Sequence, residues 1–198
     1  MGKHRLGNLF VVSGPSGVGK GTVIGRVLAQ VPEIEKSISA TTRKPRPLEE
    51  NGKDYFFVDK AKFDRMVTGS EFMEWAAYAG NCYGTPVKWV KERLANGIDV
   101  ILEIEIQGAK QIHQQYPEAC LIFLSPPSLA VLEQRLKNRA TESTKKLTLR
   151  LNKAKEELSE KNIFQYEVIN DNIEEAVKNL EQIVYSKRVN DNPGQKAI

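Results

Sequence analysis

Between Gly14 and Thr22 the chain reads Gly-Pro-Ser-Gly-Val-Gly-Lys-Gly-Thr, directly after the apolar run Leu9-Phe10-Val11-Val12. A turn this rich in glycine lets consecutive backbone N–H groups converge on phosphate oxygens. A lysine at its end reaches the β and γ phosphates, and the helix that opens there adds partial positive charge. The spacing therefore points to a nucleoside triphosphate held by Gly14, Pro15, Ser16, Gly17, Val18, Gly19, Lys20, Gly21 and Thr22. Such loops carry Ser or Thr after the lysine to meet Mg2+. Here that position is Gly21, and the hydroxyl is displaced to Thr22, the loop's candidate metal ligand; Glu103 and Glu105 are the other candidates, with waters and nucleotide phosphates completing the shell.

A second set of residues suits a phosphorylated acceptor. Arg43 and Arg46 flank Pro45, which holds the segment extended and presents two guanidinium forks to one phosphate. Tyr55 and Tyr83 offer hydroxyl donors, or else pack within a small β lobe. Glu74 lies between Met73 and Trp75. A carboxylate there either faces solvent on an alternating strand or is buried facing a ligand. Guanine offers N1–H and N2–H donors beside the O6 acceptor, so a buried carboxylate pairs with it while Ser39 or Thr85 donates to O6. Adenine lacks the N2 donors and places an acceptor where guanine has N1–H.

The elements that must position these groups follow from alternation. Strand patterns at Leu9 to Val12, Val100 to Ile104, Leu121 to Leu124 and Glu167 to Ile169 alternate with helical patterns. The helices are expected at Lys20 to Gln30, Gln107 to Gln115, Ser128 to Asn138, the amphipathic stretch Lys145 to Asn162, and Ile173 to Val189. This order predicts an α/β fold, a parallel sheet with helices on both faces and its site where the strands end. Between Ser37 and Thr85 the pattern changes to a Pro/Arg-rich loop, short β pieces at Tyr55 to Val58 and Phe72 to Tyr78, and a helix from Ala61 to Val67. That is the composition of a compact, mostly β insertion. The polar stretch 190–198 reads as a disordered tail.

The 198 residues fit one domain of ordinary size. No window approaches the roughly 18 apolar residues of a membrane span, and no apolar signal core precedes the first strand, so the expectation is a cytoplasmic protein without a membrane partner. Two cysteines, Cys82 and Cys120, form neither a zinc pattern nor a disulfide framework. The net charge of +4 is modest and its basic residues are dispersed. Without a basic face or a base-stacking aromatic series, nucleic acid is not an expected partner.

Several segments together resemble the guanylate kinase family in order and spacing. They are the loop Gly14 to Thr22; Ser39-Ala-Thr-Thr-Arg43-Lys-Pro-Arg46 leading to Asn51-Gly-Lys-Asp-Tyr55; Glu71-Phe-Met-Glu74-Trp75; Gly80-Asn-Cys-Tyr83-Gly-Thr85; Leu102-Glu-Ile-Glu105-Ile-Gln-Gly108; and Ser125-Pro-Pro-Ser128. The resemblance spans 7–189. It implies a P-loop NTPase-type core (7–36, 86–127 and 160–189), an inserted mixed-β GMP-binding lobe (37–85) and a helical lid (128–159). It implies that Ser39, Glu74 and Thr85 read guanine, that Arg43, Arg46, Tyr55 and Tyr83 hold the GMP phosphate, and that Glu105 lies near the guanine and the metal, where the family often has Asp. Arg135 and Arg139, one turn apart, would alone read as a solvated basic face. The resemblance makes their segment, with Arg150, a lid closing over the triphosphate, with Ala140 where Gly is common. Asn170, otherwise a helix-cap or turn residue, matches a position that touches the adenine of ATP.

The implied chemistry is Mg2+-dependent transfer of a phosphoryl group from ATP to GMP, and to dGMP, in purine nucleotide metabolism and GMP recycling. It needs in-line positioning and charge neutralisation but no general base, because the acceptor oxygen is already anionic. Lys20, Arg43, Arg139 and Arg150 are the expected catalytic residues, and closure of the lid and the lobe would exclude water. Three other readings remain at this level. They are a different phosphate acceptor, a non-catalytic interaction domain of guanylate-kinase type, and a nucleic-acid-dependent ATPase.

Overall fold

A computed structural model describes residues 5–78, 80–138 and 144–191. In chain order the elements are β1 (Leu9–Ser13), α1 (Lys20–Gln30), β2 (Ile34–Lys36), β3 (Ala40–Thr41), β4 (Phe56–Phe57), α2 (Lys60–Thr68), β5 (Phe72–Tyr78), β6 (Asn81–Pro86), α3 (Val87–Ala95), β7 (Asp99–Glu103), α4 (Ile106–Gln115), β8 (Cys120–Ser125), α5 (Leu129–Asn138), α6 (Thr144–Ser159), β9 (Tyr166–Ile169) and α7 (Ile173–Asp191). A single 3-10 turn, Lys161–Ile163, precedes β9. The expected α/β architecture is the one formed: parallel strands with helices, and a separate mixed sheet. Sequence periodicity missed β2, β3, β6 and α3. The first two are three and two residues long, and the other two mix polar with apolar side chains. The final helix runs two residues past Val189, into the stretch expected to be disordered; positions 192–198 lie outside the described residues.

The chain divides into two compact units, one of residues 1–9 with 33–119 and one of residues 10–32 with 120–198. In the first, β2 lies parallel to β7, and a four-stranded sheet has the order β4-β3-β6-β5. Its core takes Val100, Ile101 and Leu102 from β7, Ala109 and Ile112 from α4, Val90 from α3, and Phe63 and Met73 from the lobe. Asp99, fully buried, accepts from Arg5 Nη1 and from the Asn8 amide, both at 2.7 Å, and so ties the N-terminal approach to the start of β7. A buried carboxylate is tolerated there because it is paired and hydrogen-bonded.

In the second unit β8 lies parallel to both β1 and β9. Strands β1 and β8 are buried along their whole length, the continuous apolar signature of strands covered on both sides. Val23, Ile24 and Val27 of α1 and Ala176, Leu180 and Val184 of α7 are buried, and the two helices pack together. Helices α5 and α6 share a cluster of Leu132, Leu136 and Ala154, flanked by Leu147 and Leu151.

Candidate active site

The phosphate loop leaves β1 and becomes α1 in the second unit. Gly19 occupies the N-cap position with φ 100°, a left-handed conformation that favours glycine. A Cβ there would also stand 2.6 Å from Nδ2 of Asn170. Lys20 is the first residue of α1, and its ammonium turns back onto the loop, donating to the Gly14 carbonyl at 2.5 Å and the Pro15 carbonyl at 3.4 Å. Thr22 lies exposed in the first turn.

Asn170, 5 % exposed, donates from its backbone amide to Ser125 O and from Nδ2 to Val18 O, both at 2.8 Å. Its side-chain amide therefore braces the loop, a role that sequence spacing does not reveal. Leu136 of α5 lies against the loop: a Cβ on Gly17 would be 2.7 Å from its Cδ2. Arg150 is half-buried on α6. Arg139 and Ala140 lie outside the described residues.

In the first unit, two of the three groups expected to read guanine, Glu74 and Thr85, meet on β5 and β6. Thr85 pairs with Glu74 across the antiparallel ladder, and its Oγ1 donates to Glu74 Oε1 at 2.6 Å. The Thr85 backbone amide adds a second bond. Glu74 is only 4 % exposed. Burial pushes its carboxyl up to about 7, against the opposing effect of the two Thr85 bonds and with help from the charge of Glu105 at the N-cap of α4.

Simple alternation would have shared Glu74's face with Phe72, but β5 carries a bulge between them. Phe72 opposes Pro86 and Glu74 opposes Thr85, so Met73 is the extra residue. The bulge lets Phe72 and Trp75, three apart, both stack near Phe63 of α2, with ring centroids at 4.7 and 6.4 Å, while Glu74 turns to the opposite face.

Two further residues have roles that the sequence reading did not assign. Gly108 of α4 is bare where Glu74 lies: a Cβ there would be 2.2 Å from Oε2. Glu49 receives the Arg43 fork in a bidentate pair, 2.9 Å at each nitrogen, and also accepts from the Arg46 amide at 2.7 Å. Arg43 holds the Glu49 carboxyl below the usual carboxylate range. The spacing Arg-x-x-Arg-x-x-Glu was the available signal.

Arg43 is seated by its neighbours. Its guanidinium lies 5.3 Å from the Tyr55 ring centre, its amide donates to Thr41 Oγ1 at 3.2 Å, and Tyr83 shares a side-chain hydrogen bond with it. Tyr55 and Tyr83 meet edge to face at 6.1 Å, and burial raises the Tyr55 hydroxyl. The tyrosines thus pack in the lobe and approach the arginine. The Arg46 side chain is exposed, and Ser39, half-buried, precedes β3. Glu103 is paired with Lys36 at 3.3 Å. Thr85 and Tyr83 are two residues apart on one face of β6, about 7 Å by strand geometry. A residue expected to serve the base and one expected to serve the phosphate thus lie side by side on one strand.

The guanylate kinase family model matches residues 6–187. The guanylate kinase of Trichodesmium erythraeum is 48 % identical over 184 residues, covering 93 % of this chain and 99 % of that one. That of Rubrobacter xylanophilus is 47 % identical, covering 91 % and 94 %. The crystal structure of guanylate kinase from Anaplasma phagocytophilum superposes with a TM-score of 0.78 at 33 % identity, covering 92 % of this chain and 87 % of that chain. On sequence and fold, the chain belongs to the guanylate kinase family.

Proposed function

We propose that the protein transfers the γ-phosphoryl group of ATP to the phosphate of GMP, giving ADP and GDP. The buried Glu74 carboxylate, fixed by Thr85 on the strand that also carries Tyr83, is the observation that supports guanine as the acceptor base. Ionised, it accepts N1–H and N2–H together; adenine would set a ring acceptor against it. In this reading Ser39 and Thr85 serve O6, Glu105 lies near the base, and Arg43, Arg46, Tyr55 and Tyr83 take the monophosphate.

On the donor side the loop amides of Gly14 to Thr22 cradle the triphosphate. Lys20 leaves the Gly14 carbonyl for the β and γ oxygens, Asn170 holds the loop and borders the adenine, and Arg139 and Arg150 neutralise charge spreading over the transferred group. The working parts are a core (7–36, 86–127 and 160–189), a GMP lobe (37–85) and a lid (128–159). Mg2+ fits this donor set. Among the described residues there is no cluster of three or more His, Cys, Asp or Glu that would form an all-protein cage, while the exposed Thr22 hydroxyl opens α1, as suits a cation that keeps waters and nucleotide phosphates as most of its ligands. Bound with ATP, it would offset phosphate charge. Among the described residues no helix is long and apolar enough to cross a membrane.

An ADP-release assay with Mg·ATP and a panel of GMP, dGMP, AMP, UMP and dTMP, products resolved by chromatography, tests the proposal. GDP from GMP with negligible AMP conversion is expected. Folded protein that phosphorylates none of them would return the chain to the interaction-domain reading.

A further inference from the structure

Strand β5 is the edge of its four-stranded sheet, so its outward N–H and C=O groups have no neighbouring strand. At one residue that gap is filled by a side chain. Gln111 of α4 accepts from the Trp75 amide through Oε1 at 3.2 Å and donates from Nε2 to the Trp75 carbonyl at 2.7 Å. A single primary amide thus makes both bonds that a strand would have supplied.

The residue it grips immediately follows Glu74 and lies just beyond the Met73 bulge, where the ladder is locally disrupted. One helical turn earlier on the same face of α4 is Gly108, whose missing Cβ leaves room for Glu74 Oε2. The carboxylate is therefore held on one side by Thr85 and bounded on the other by a helix whose distance from β5 is set by the Gln111 amide.

We infer that Gln111 is a positioning residue for base recognition: by docking α4 on the Trp75 backbone it fixes the peptide next to Glu74 and the angle at which that carboxylate meets the base. The inference rests on the assignment of Glu74 as the guanine reader. Gln111 itself touches no substrate, and exposed Trp75 backbone could otherwise bond to water. What the amide supplies is a fixed geometry, which matters most to a ligand bound through two adjacent donors.

The test compares wild type with Gln111→Met, which keeps side-chain length and loses both bonds. GMP is compared at pH 8 with inosine monophosphate, which retains N1–H and O6 but lacks the 2-amino group. The KM for GMP should rise about tenfold, and the preference in kcat/KM for GMP over inosine monophosphate should fall about fivefold, with kcat and the KM for ATP within about twofold of wild type. A general loosening of the lobe would weaken both acceptors alike. An unchanged preference, or a parallel loss in kcat and in both KM values, overturns the inference.

Gln111→Glu keeps the acceptor for the Trp75 amide but sets an oxygen against its carbonyl. It should give a smaller fall in the same ratio, and it decides the matter alone if the Met variant does not fold. A wild type that phosphorylates GMP without preferring it to inosine monophosphate overturns the Glu74 reading and Gln111's role with it. That result is separable from the first because it appears before any substitution is made.

Discussion

Around Lys20 the groups offered to a phosphate are mostly backbone amides of a glycine turn, braced by one buried Asn170 amide. Around Arg43 and Glu74 they are side chains held by other side chains: Thr85 on Glu74, and Glu49, Tyr55 and Tyr83 on Arg43. The first arrangement recognises what every triphosphate shares and needs little beyond loop length and glycine. The second, on the proposed reading, selects one base by keeping a carboxylate in a place that opposes its charge. General affinity can be made from peptide groups; selectivity, on that reading, draws on a strained ionisation.

The contrast is tested most severely at the lysine that opens α1. Lys20→Ala should lower turnover about a thousandfold with the fold intact, read by steady-state kinetics and circular dichroism. Near-normal turnover would mean that the amides suffice alone. Glu74→Gln should lower kcat/KM for GMP about a hundredfold, because the new amide sets a donor against guanine's donors, and should leave the KM for ATP near wild type. An equal loss on both substrates would dissolve the distinction between the two sites.

The pH dependence sharpens it further. Glu74 moves from an ordinary 4.5 to about 7 on folding, so the folded chain binds that proton more tightly than the unfolded one. The resulting stabilisation is complete below about pH 4.5 and is lost as pH rises through 7, a difference on the order of 3 kcal/mol. The Tm of ligand-free protein should therefore fall from pH 5 to pH 8, and less so in Glu74→Gln. Over the same interval kcat/KM for GMP should rise, since only the ionised carboxylate accepts both guanine donors. Opposite slopes for stability and capture are the signature; parallel slopes would place the titration elsewhere. The smallest effect is expected from Asn170→Ala, which removes the brace at Val18 and should raise the KM for ATP about fivefold with GMP unaffected.

The same division explains what could be read in advance. The loop and α1 were legible because their requirements are local: an apolar strand, a glycine turn and a helical period, all within 22 residues of one another. Helices α4 and α5 and strands β7 and β8 emerged within a residue or two of their actual ends. Glu74 was undecidable between solvent and pocket because its face depends on a bulge, and a bulge is a property of pairing with β6. Gln111 carried no signal of its own, and Gly108 closed a matched segment without a role assigned to it, since each matters only where α4 meets β5. The Asn170 brace joins positions 152 residues apart in sequence, and periodicity does not reach that far.

Met73 has a consequence of counting. Along β5, sidedness is a matter of parity, and the bulge absorbs the extra residue so that Phe72 and Trp75 fall on one side with Glu74 on the other. Excising that one methionine would restore plain alternation and keep those sides, whereas straightening the strand with Met73 drawn into the ladder forces a choice. Either the aromatic anchor to α2 or the carboxylate must rotate away, and an indole then occupies the wall where the acid stood. Where the bulge sits, and not only which residues flank it, thus decides the side that each of them takes.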